Sequence, residues 1–432
     1  MKLVSYWQDT ATPAGDFRHT QVPDEVDVAI VGAGLTGLSA GLELAQGGAR
    51  VVVLESHGVG WGASGRNAGM ATTGLAIGFG QAIARYGRAT AAKYYLEYDK
   101  AISAVEALVR EHSIECDFAR HGKLSLAVTP RSLAAMRDTQ REVAEVGGLP
   151  DLQVLGPEDI RKEIGSDYYH GGMVDPLGAG LHVGKFVNGL ATAAVAAGAV
   201  VCEAAPVVSL DRDGARHLVQ SSRGPVQAKH VLVATSGYTS SLTPWLQRRV
   251  IPVGSFIVCT EPLDADLANE LLPHGRMASD AKMLTYYFRL TPDNRLLFGG
   301  RARFALSSPD SDRRSAEILR RAMLEIFPQL STTRIDYTWG GLVDLSMDRM
   351  VHIGQRNGIH YSLGYSGHGV QMATYAGQQV ARRLLGTQPE LPFGGIGFHA
   401  VPGHVGPPWF LPFIGAGAHV IDRWNLLRGG KA

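Results

Sequence analysis

The chain has 432 residues, 45% of them apolar and 19% charged, with 41 basic side chains against 40 acidic ones. That length exceeds one ordinary hydrophobic core, so two domains are expected. The near-zero charge balance gives no basic stripe for nucleic acid, and no apolar run is long enough to span a bilayer.

Cys116, Cys202 and Cys259 are far apart and show no C-x-x-C or metal-like spacing. They read as reduced packing residues of a cytoplasmic protein, with no metal site. The N-terminus has no apolar signal core.

Residues before about Val26 read as an extended arm. Val26–Glu55 then reads as a strand, a glycine turn, a helix and a second strand. Gly32, Gly34 and Gly37 have the G-x-G-x-x-G spacing. The first permits a tight turn, the second lets backbone approach a pyrophosphate, and the third lets the helix pack on the strand. Leu35 and Thr36 open that helix, whose free N–H groups suit an anion, and Gly47–Gly48 ends it. Glu55, followed by Ser56, closes the second strand where a carboxylate would hold a ribose. Taken alone, this unit admits NAD as well as FAD.

A loop rich in glycine and serine follows from Gly58 to Gly69. Helical periodicity marks Ala89–Glu111, Pro130–Val146 and Val187–Ala197. Strands are expected at Val200–Glu203, around Val207–Leu210, at Val226–Thr235 (closing on Ser236–Gly237) and at Val250–Thr260. Leu284–Leu290 and Arg295–Gly300 read as a hairpin around Thr291–Asn294. Ser315–Phe327 is expected as a helix. His360–Leu363 is expected as a strand that runs through Gly364–Gly369 into a helix over Val370–Leu385. The tail from Leu391 is rich in Gly, Pro and aromatics and turns helical near Ala416–Leu427. The α/β pieces fall in separate places. A discontinuous nucleotide domain is therefore expected over 26–85, 150–238 and 340–390, interleaved with a substrate domain over 86–149 and 239–339. Segment 391–432 is expected to pack on the body.

Trp61-Gly-Ala-Ser-Gly-Arg-Asn-Ala-Gly69, Lys282–Gly300, Trp339-Gly-Gly341 with Asp348-Arg349, and Gly364-Tyr-Ser-Gly-His-Gly369 extend the pattern along nearly the whole chain. With the first motif they resemble the D-amino-acid-oxidase-like flavoprotein family, closest to its γ-glutamylputrescine-oxidase-like branch. The resemblance implies an α/β fold with a Rossmann-like FAD-binding domain and an α+β substrate domain on a mixed or antiparallel sheet. It also implies that Gly32, Gly34 and Gly37 hold the pyrophosphate, with Leu35 and Thr36 at the helix start, and that Glu55 and Ser56 lie at the adenosine ribose. Trp61, Gly62, Ala63, Ser64, Arg66, Asn67, Ala68 and Gly69 would follow the pyrophosphate to the flavin edge. Val207 would meet the adenine, Ala234, Thr235 and Gly237 would cross behind the dinucleotide, and Gly341 and Gly364 would lie at the return to the flavin domain. Gly367, His368, Gly369 and Val370 would start the helix that meets the flavin pyrimidine, where its N-terminus favours negative charge.

Two departures, Val183-Gly184 and Met350, read as local backbone changes. No cysteine lies in a flavin motif, so FAD is expected to be non-covalent. Leu297 stands where sarcosine-oxidase-like relatives carry an oxygen-activating lysine, and Lys282 on the partner strand is a candidate to substitute for it.

The resemblance implies oxidation of the C–N bond of an amine or amino acid (γ-glutamyl-amine-like, a secondary or primary amine), with hydride passing from the carbon bearing nitrogen to flavin N5 and the resulting imine being hydrolysed. The cofactor carries the hard step. A neutral amine must be bound, and desolvation can favour that form. Three side chains are catalytic candidates. Arg289 presents a fork of donors for a substrate carboxylate, Tyr287 places a hydroxyl on the pocket wall, and His368 contacts flavin or substrate. Each has a structural alternative: an ion pair, core packing and a helix cap. Trp339 and His182 are weaker candidates, and Asp348-Arg349 reads as a domain-joining ion pair. O2 is the expected acceptor. A D-amino-acid-type dehydrogenase that feeds a quinone, and a flavoprotein module acting on a macromolecule, stay open.

Overall fold

Glu25–Val31 is a run of β-branched and small apolar residues, and from Val28 onward every residue is buried. A computed structural model, which describes residues 1–300, 308–388, 390–406 and 408–429, sets this strand inside an eight-stranded sheet. Gly224–Val233 and Val51–Leu54 flank it in parallel, so that Ile30 stands beside Leu232 on one side and Val53 on the other. Val200–Cys202 and Ile359–Leu363 extend the parallel core outward, and His352–Arg356 closes one edge antiparallel. Val207–Asp213 and Arg216–Ser221 form an antiparallel extension beside Gly224–Val233.

Alternation along the strands divides the packing. Val28, Ile30, Val51 and Val53 enter a core built with helices Leu35–Gln46, Arg88–Glu111, Val183–Ala196 and Gly369–Leu384. Ala29, Val31, Val52 and Leu54 enter a second core with Val219, Val226 and Leu363. Leu35–Gln46 and Gly369–Leu384 approach closely because Gly377 has no side chain, and a Cβ there would stand 2.3 Å from the Thr36 carbonyl oxygen. Ser39 Oγ fills the gap and donates to the Thr374 carbonyl at 2.9 Å.

The second sheet is mixed and runs in the order Ile335–Leu345, Ile251–Thr260, Leu296–Gly300, Tyr286–Leu290, Met277–Asp280, Lys123–Ala127, Gly171–Asp175 and Gln153–Leu155. Phe256, Val258, Phe288 and Phe298 point to one face and pack with Leu319, Met323 and Phe327 from helix Pro309–Ile326 and its end. The other face looks toward the glycine turn of the first sheet.

Three expectations are corrected. The N-terminal arm is not simply extended. Tyr6–Thr10 forms a short helix, and Trp7 is buried because its indole N–H reaches the Asn67 carbonyl at 2.6 Å. Gln153–Leu155 and Gly171–Asp175, assigned to the nucleotide domain, pair in the second sheet, and Ile335–Leu345 crosses the expected boundary within that sheet. The tail packs only in part. Phe393 is buried and the Asp422 carboxylate accepts the Met283 and Leu284 N–H groups, but Trp409 and Phe413 are 65% and 72% exposed. Leu411 and Gly415 take the inward face of helix Leu411–Gly429 and leave Phe413 outward. Among the described residues, no helix is long and apolar enough to cross a membrane.

Candidate active site

The turn after Val31 has no room for side chains. Gly32 has φ +108°, and a Cβ on it would lie 2.9 Å from the Ala234 carbonyl oxygen. A Cβ on Gly34 would stand 2.8 Å from Ser64 Oγ, and one on Gly37 would stand 1.9 Å from the Gly32 carbonyl oxygen. Gly34 is the helix N-cap and puts no side chain over the first turn. The Glu55 carboxylate lies beside it. One oxygen accepts the Ala33 N–H at 2.8 Å, and the other accepts the His57 N–H at 2.9 Å and the Ser56 hydroxyl at 3.2 Å. Gly32, Gly34, Leu35, Thr36, Glu55 and Ser56 line one cavity of about 720 Å³.

Trp61, Gly62, Ala63, Ser64, Arg66, Asn67 and Ala68 line the same cavity. Their loop is held from behind. Ser64 Oγ accepts the Leu35 N–H at 2.9 Å, and Asn67 donates to the Ala63 carbonyl and accepts the Gly69 N–H at 2.8 Å. Trp339 Nε1 donates to the Arg66 carbonyl at 2.8 Å. His57 stacks on Trp61 at 3.8 Å, and the Arg66 guanidinium lies 4.9 Å from the Trp61 ring centre. Backbone fixed in this way pays little ordering entropy when a ligand arrives. Val207, Ala234, Thr235 and Gly341 add to the lining.

At another part of the cavity, strand Ile359–Leu363 runs into the Gly364–Gly369 turn. Gly364 has φ +80° and gives its N–H to the buried Asp344 carboxylate at 2.8 Å. Burial lifts that carboxyl to about 6. The Tyr365 hydroxyl lies 2.6 Å from Thr36 Oγ1 and ties this turn to the first helix. Gly367, His368, Gly369 and Val370 line the cavity, and His368 stands just before helix Gly369–Leu384 but makes no side-chain bond to its first turn. Burial, with the nearby Lys123 ammonium, pulls the His368 imidazole down to about 3, so it is neutral at ordinary pH. Its Nδ1 is buried with no protein partner. This orphaned ring nitrogen, the uncapped helix start and the side-chain-free glycine cradle fit a long polar dinucleotide.

The second sheet supplies the facing wall through Lys123, Ser279, Thr285, Tyr287 and Ser255. Tyr287 hydroxyl lies 2.9 Å from Ser255 Oγ, and its ring covers Gly299, where a Cβ would stand 2.3 Å from the ring. Lys123, Ser279, Thr285 and Ser255 escaped the sequence analysis. Lys123 and Ser279 sit on short strands without a motif, where only strand alternation, known once the pairing is known, turns them inward. Ser255 lies within the longer strand Ile251–Thr260, and Thr285 just before strand Tyr286–Leu290.

Several expected site residues lie outside the lining. Gly37, Gly69, Gly237 and Gly364 shape backbone instead. For example, Gly69 has φ +64° and a Cβ there would meet the Leu181 carbonyl oxygen at 2.3 Å. Lys282 donates to the Tyr168 hydroxyl at 2.8 Å and lies 3.6 Å from Asp280, away from the cavity. Trp339 is buried behind the loop rather than over a substrate. His182 caps helix Val183–Ala196 through Nδ1 and the Lys185 N–H at 3.2 Å. Asp348 pairs with His352 at 2.9 Å, not with Arg349, whose side chain lines the cavity.

Arg289 is the correction that matters most for catalysis. It is 5% exposed and does not line the cavity. Its guanidinium donates to the carbonyls of Gly69, Leu181 and Leu290, the latter two at 3.1 Å. Its Nε and Nη1 donors are engaged by backbone, so it clamps the second sheet to the Gly69 turn. Arg289→Met is expected to lower the melting temperature, because each buried carbonyl left unpaired costs about 1–3 kcal/mol. The preference between carboxylated and uncharged amines is expected to stay unchanged. Thermal melts with steady-state kinetics check this, and a lost preference with an unchanged melt would restore the carboxylate role.

The three cysteines are buried and free. Among the described residues, no cluster of His, Cys, Asp and Glu could hold a metal ion.

The family model described as FAD dependent oxidoreductase (DAO) matches residues 27–383. The chain is 34% identical to the gamma-glutamylputrescine oxidoreductase of Escherichia coli over 417 residues, covering 96% of each chain. It is 34% identical to the probable oxidoreductase OrdL of Haemophilus influenzae over 392 residues, which covers 90% of this chain and 89% of that one. The crystal structure of glycine oxidase from Geobacillus kaustophilus superposes with a TM-score of 0.73 at 22% identity, covering 89% of this chain and all of that one, which is a likeness of fold.

Proposed function

Because the chain belongs to the DAO family of FAD-dependent oxidoreductases, we propose that it oxidises the C–N bond of a γ-glutamylated or related primary or secondary amine. The product is an imine that water hydrolyses. One observation carries this reading: a single cavity joins the glycine turn and Glu55 to a polar wall on the second sheet. The 34% identity to gamma-glutamylputrescine oxidoreductase along nearly the whole chain supports the substrate class.

Bound FAD supplies the acceptor for hydride from the carbon bearing nitrogen. In this reading the turn at Gly32 and Gly34, with the start of helix Leu35–Gln46, holds its pyrophosphate, and Glu55 holds its adenosine ribose. Loop Trp61–Ala68 and the His368–Val370 helix start enclose the rest. In this reading the FAD is held non-covalently. The neutral His368 presents a ring nitrogen to a group at the helix N-terminus and adds no positive charge there. Tyr287, with Ser255, orients the amine. The partly desolvated wall favours the uncharged amine, whose lone pair assists hydride loss.

The electron acceptor in this reading is O2. The reduced enzyme, made anaerobically with substrate, regains its visible absorbance when air is admitted and releases peroxide. A reduced enzyme that stays bleached in air but recovers with a quinone would make it a dehydrogenase.

A further inference from the structure

The wall of the cavity contributed by the second sheet carries a cation that none of the roles above uses. Lys123 opens strand Lys123–Ala127, where Leu124 and Leu126 turn to the core on the sheet's far side. By alternation Lys123 faces the cavity, which it lines together with Ser279 and Tyr287. Ser279 and Tyr287 are directly paired in the ladder, and the strand of Ser279 runs beside that of Lys123.

Lys123 has no fixed counter-ion. Asp175 stands opposite it in the antiparallel ladder. However, the Asp175 carboxylate already accepts the Thr73 hydroxyl on one oxygen and the Leu177 N–H, at 3.0 Å, on the other. Among the described residues, no carboxylate lies within ion-pair distance of Lys123. Burial weakens its hold on the proton, and Asp175 strengthens it. Of the other charged residues lining the cavity, Glu55 holds the Ala33 and His57 N–H groups, Arg66 donates to the carbonyls of Trp61 and Gly340, Asp344 accepts the Gly364 N–H, and Arg349 is exposed to solvent. A half-buried ammonium facing a cavity without a partner is costly unless something negative completes it.

We propose that Lys123 is the anchor for an anionic group of the substrate, a carboxylate carried on the amine away from the reacting C–N bond, with the hydroxyls of Ser279 and Tyr287 beside it. A compact ammonium with freely turning donors suits such a carboxylate. The consequence is selectivity: amines bearing a carboxylate are preferred over otherwise matched amines without one. This selectivity rests on the amine-oxidising reading, whereas the binding of the anion does not.

The FAD-loaded enzyme and its Lys123→Met and Lys123→Arg variants are titrated with glutarate, which has no amine to oxidise, and binding is followed through the flavin absorption spectrum. Lys123→Met is expected to weaken glutarate by about tenfold or more, as loss of a hydrogen bond to a charged group implies, and Lys123→Arg by less. With a γ-glutamyl amine, Lys123→Met raises KM with little change in kcat, and with the matched amine lacking the carboxylate it changes neither. Unchanged glutarate binding in Lys123→Met would overturn the proposal. So would an equal fall in kcat for both amines, which would assign Lys123 to the reaction itself. Lys123→Gln replaces the Met variant if the latter does not fold with FAD. Because glutarate binding needs no turnover, failure of every amine as a substrate leaves this test intact.

Discussion

Gly37→Val yields a protein that purifies without the yellow of bound flavin and melts well below the wild type. The added Cβ would sit 1.9 Å from the Gly32 carbonyl oxygen and 3.1 Å from Ile30 Cγ2. The first obstacle is backbone, so no side-chain rotation relieves it. Helix Leu35–Gln46 must lift off strand Glu25–Val31, and overpacking of this kind costs about 1–3 kcal/mol or more. The lift also moves the first-turn N–H groups that an anion would meet. The ratio of flavin to protein absorbance and a thermal melt check both effects, with Gly37→Ala falling between. A yellow Gly37→Val protein with an unchanged melt would mean that the helix does not rest on the turn in this way.

Glu55→Ala is expected to lower FAD affinity by about a hundredfold or more, since each hydrogen bond to a charged group contributes about 1.5–3 kcal/mol. The Glu55 carboxylate holds the Ala33 N–H of the glycine turn and the His57 N–H of the following loop. Its removal frees both segments and takes away the group expected at the ribose. The effect is read by titrating apoprotein with FAD and following quenching of flavin fluorescence. Glu55→Gln is expected to lose less, because its amide oxygen can still accept one of these N–H groups. An Ala variant that binds FAD as tightly as wild type would remove Glu55 from the cofactor site.

The parts legible in the sequence are those whose conformation is decided locally. Gly32, Gly34 and Gly37 announce a turn because only glycine tolerates its crowding. The helix Pro130–Val146 is legible from its local periodicity, and the structure adds the cap, Thr129 Oγ1 accepting the Ser132 N–H. The parts that were not legible depend on distant partners. Arg289 is engaged by carbonyls 220 and 108 residues away in sequence, so nothing near it distinguishes a clamp from a substrate fork. Lys123 faces the cavity because its strand pairs with Met277–Asp280 and Gly171–Asp175, and a strand as short as Lys123–Ala127 carries little periodicity of its own. The placement of Trp7 under the Asn67 carbonyl is likewise a tertiary event.

The central claim is that this cavity holds FAD and reduces it at the expense of an amine. Anaerobic titration of the purified holoenzyme with γ-glutamylputrescine, followed at the oxidised flavin band, tests it most directly, with N-methyl amino acids and D-amino acids run in parallel. Bleaching by the γ-glutamyl amine at lower concentration than by the others is the predicted result. A flavin that none of these amines reduces would contradict it.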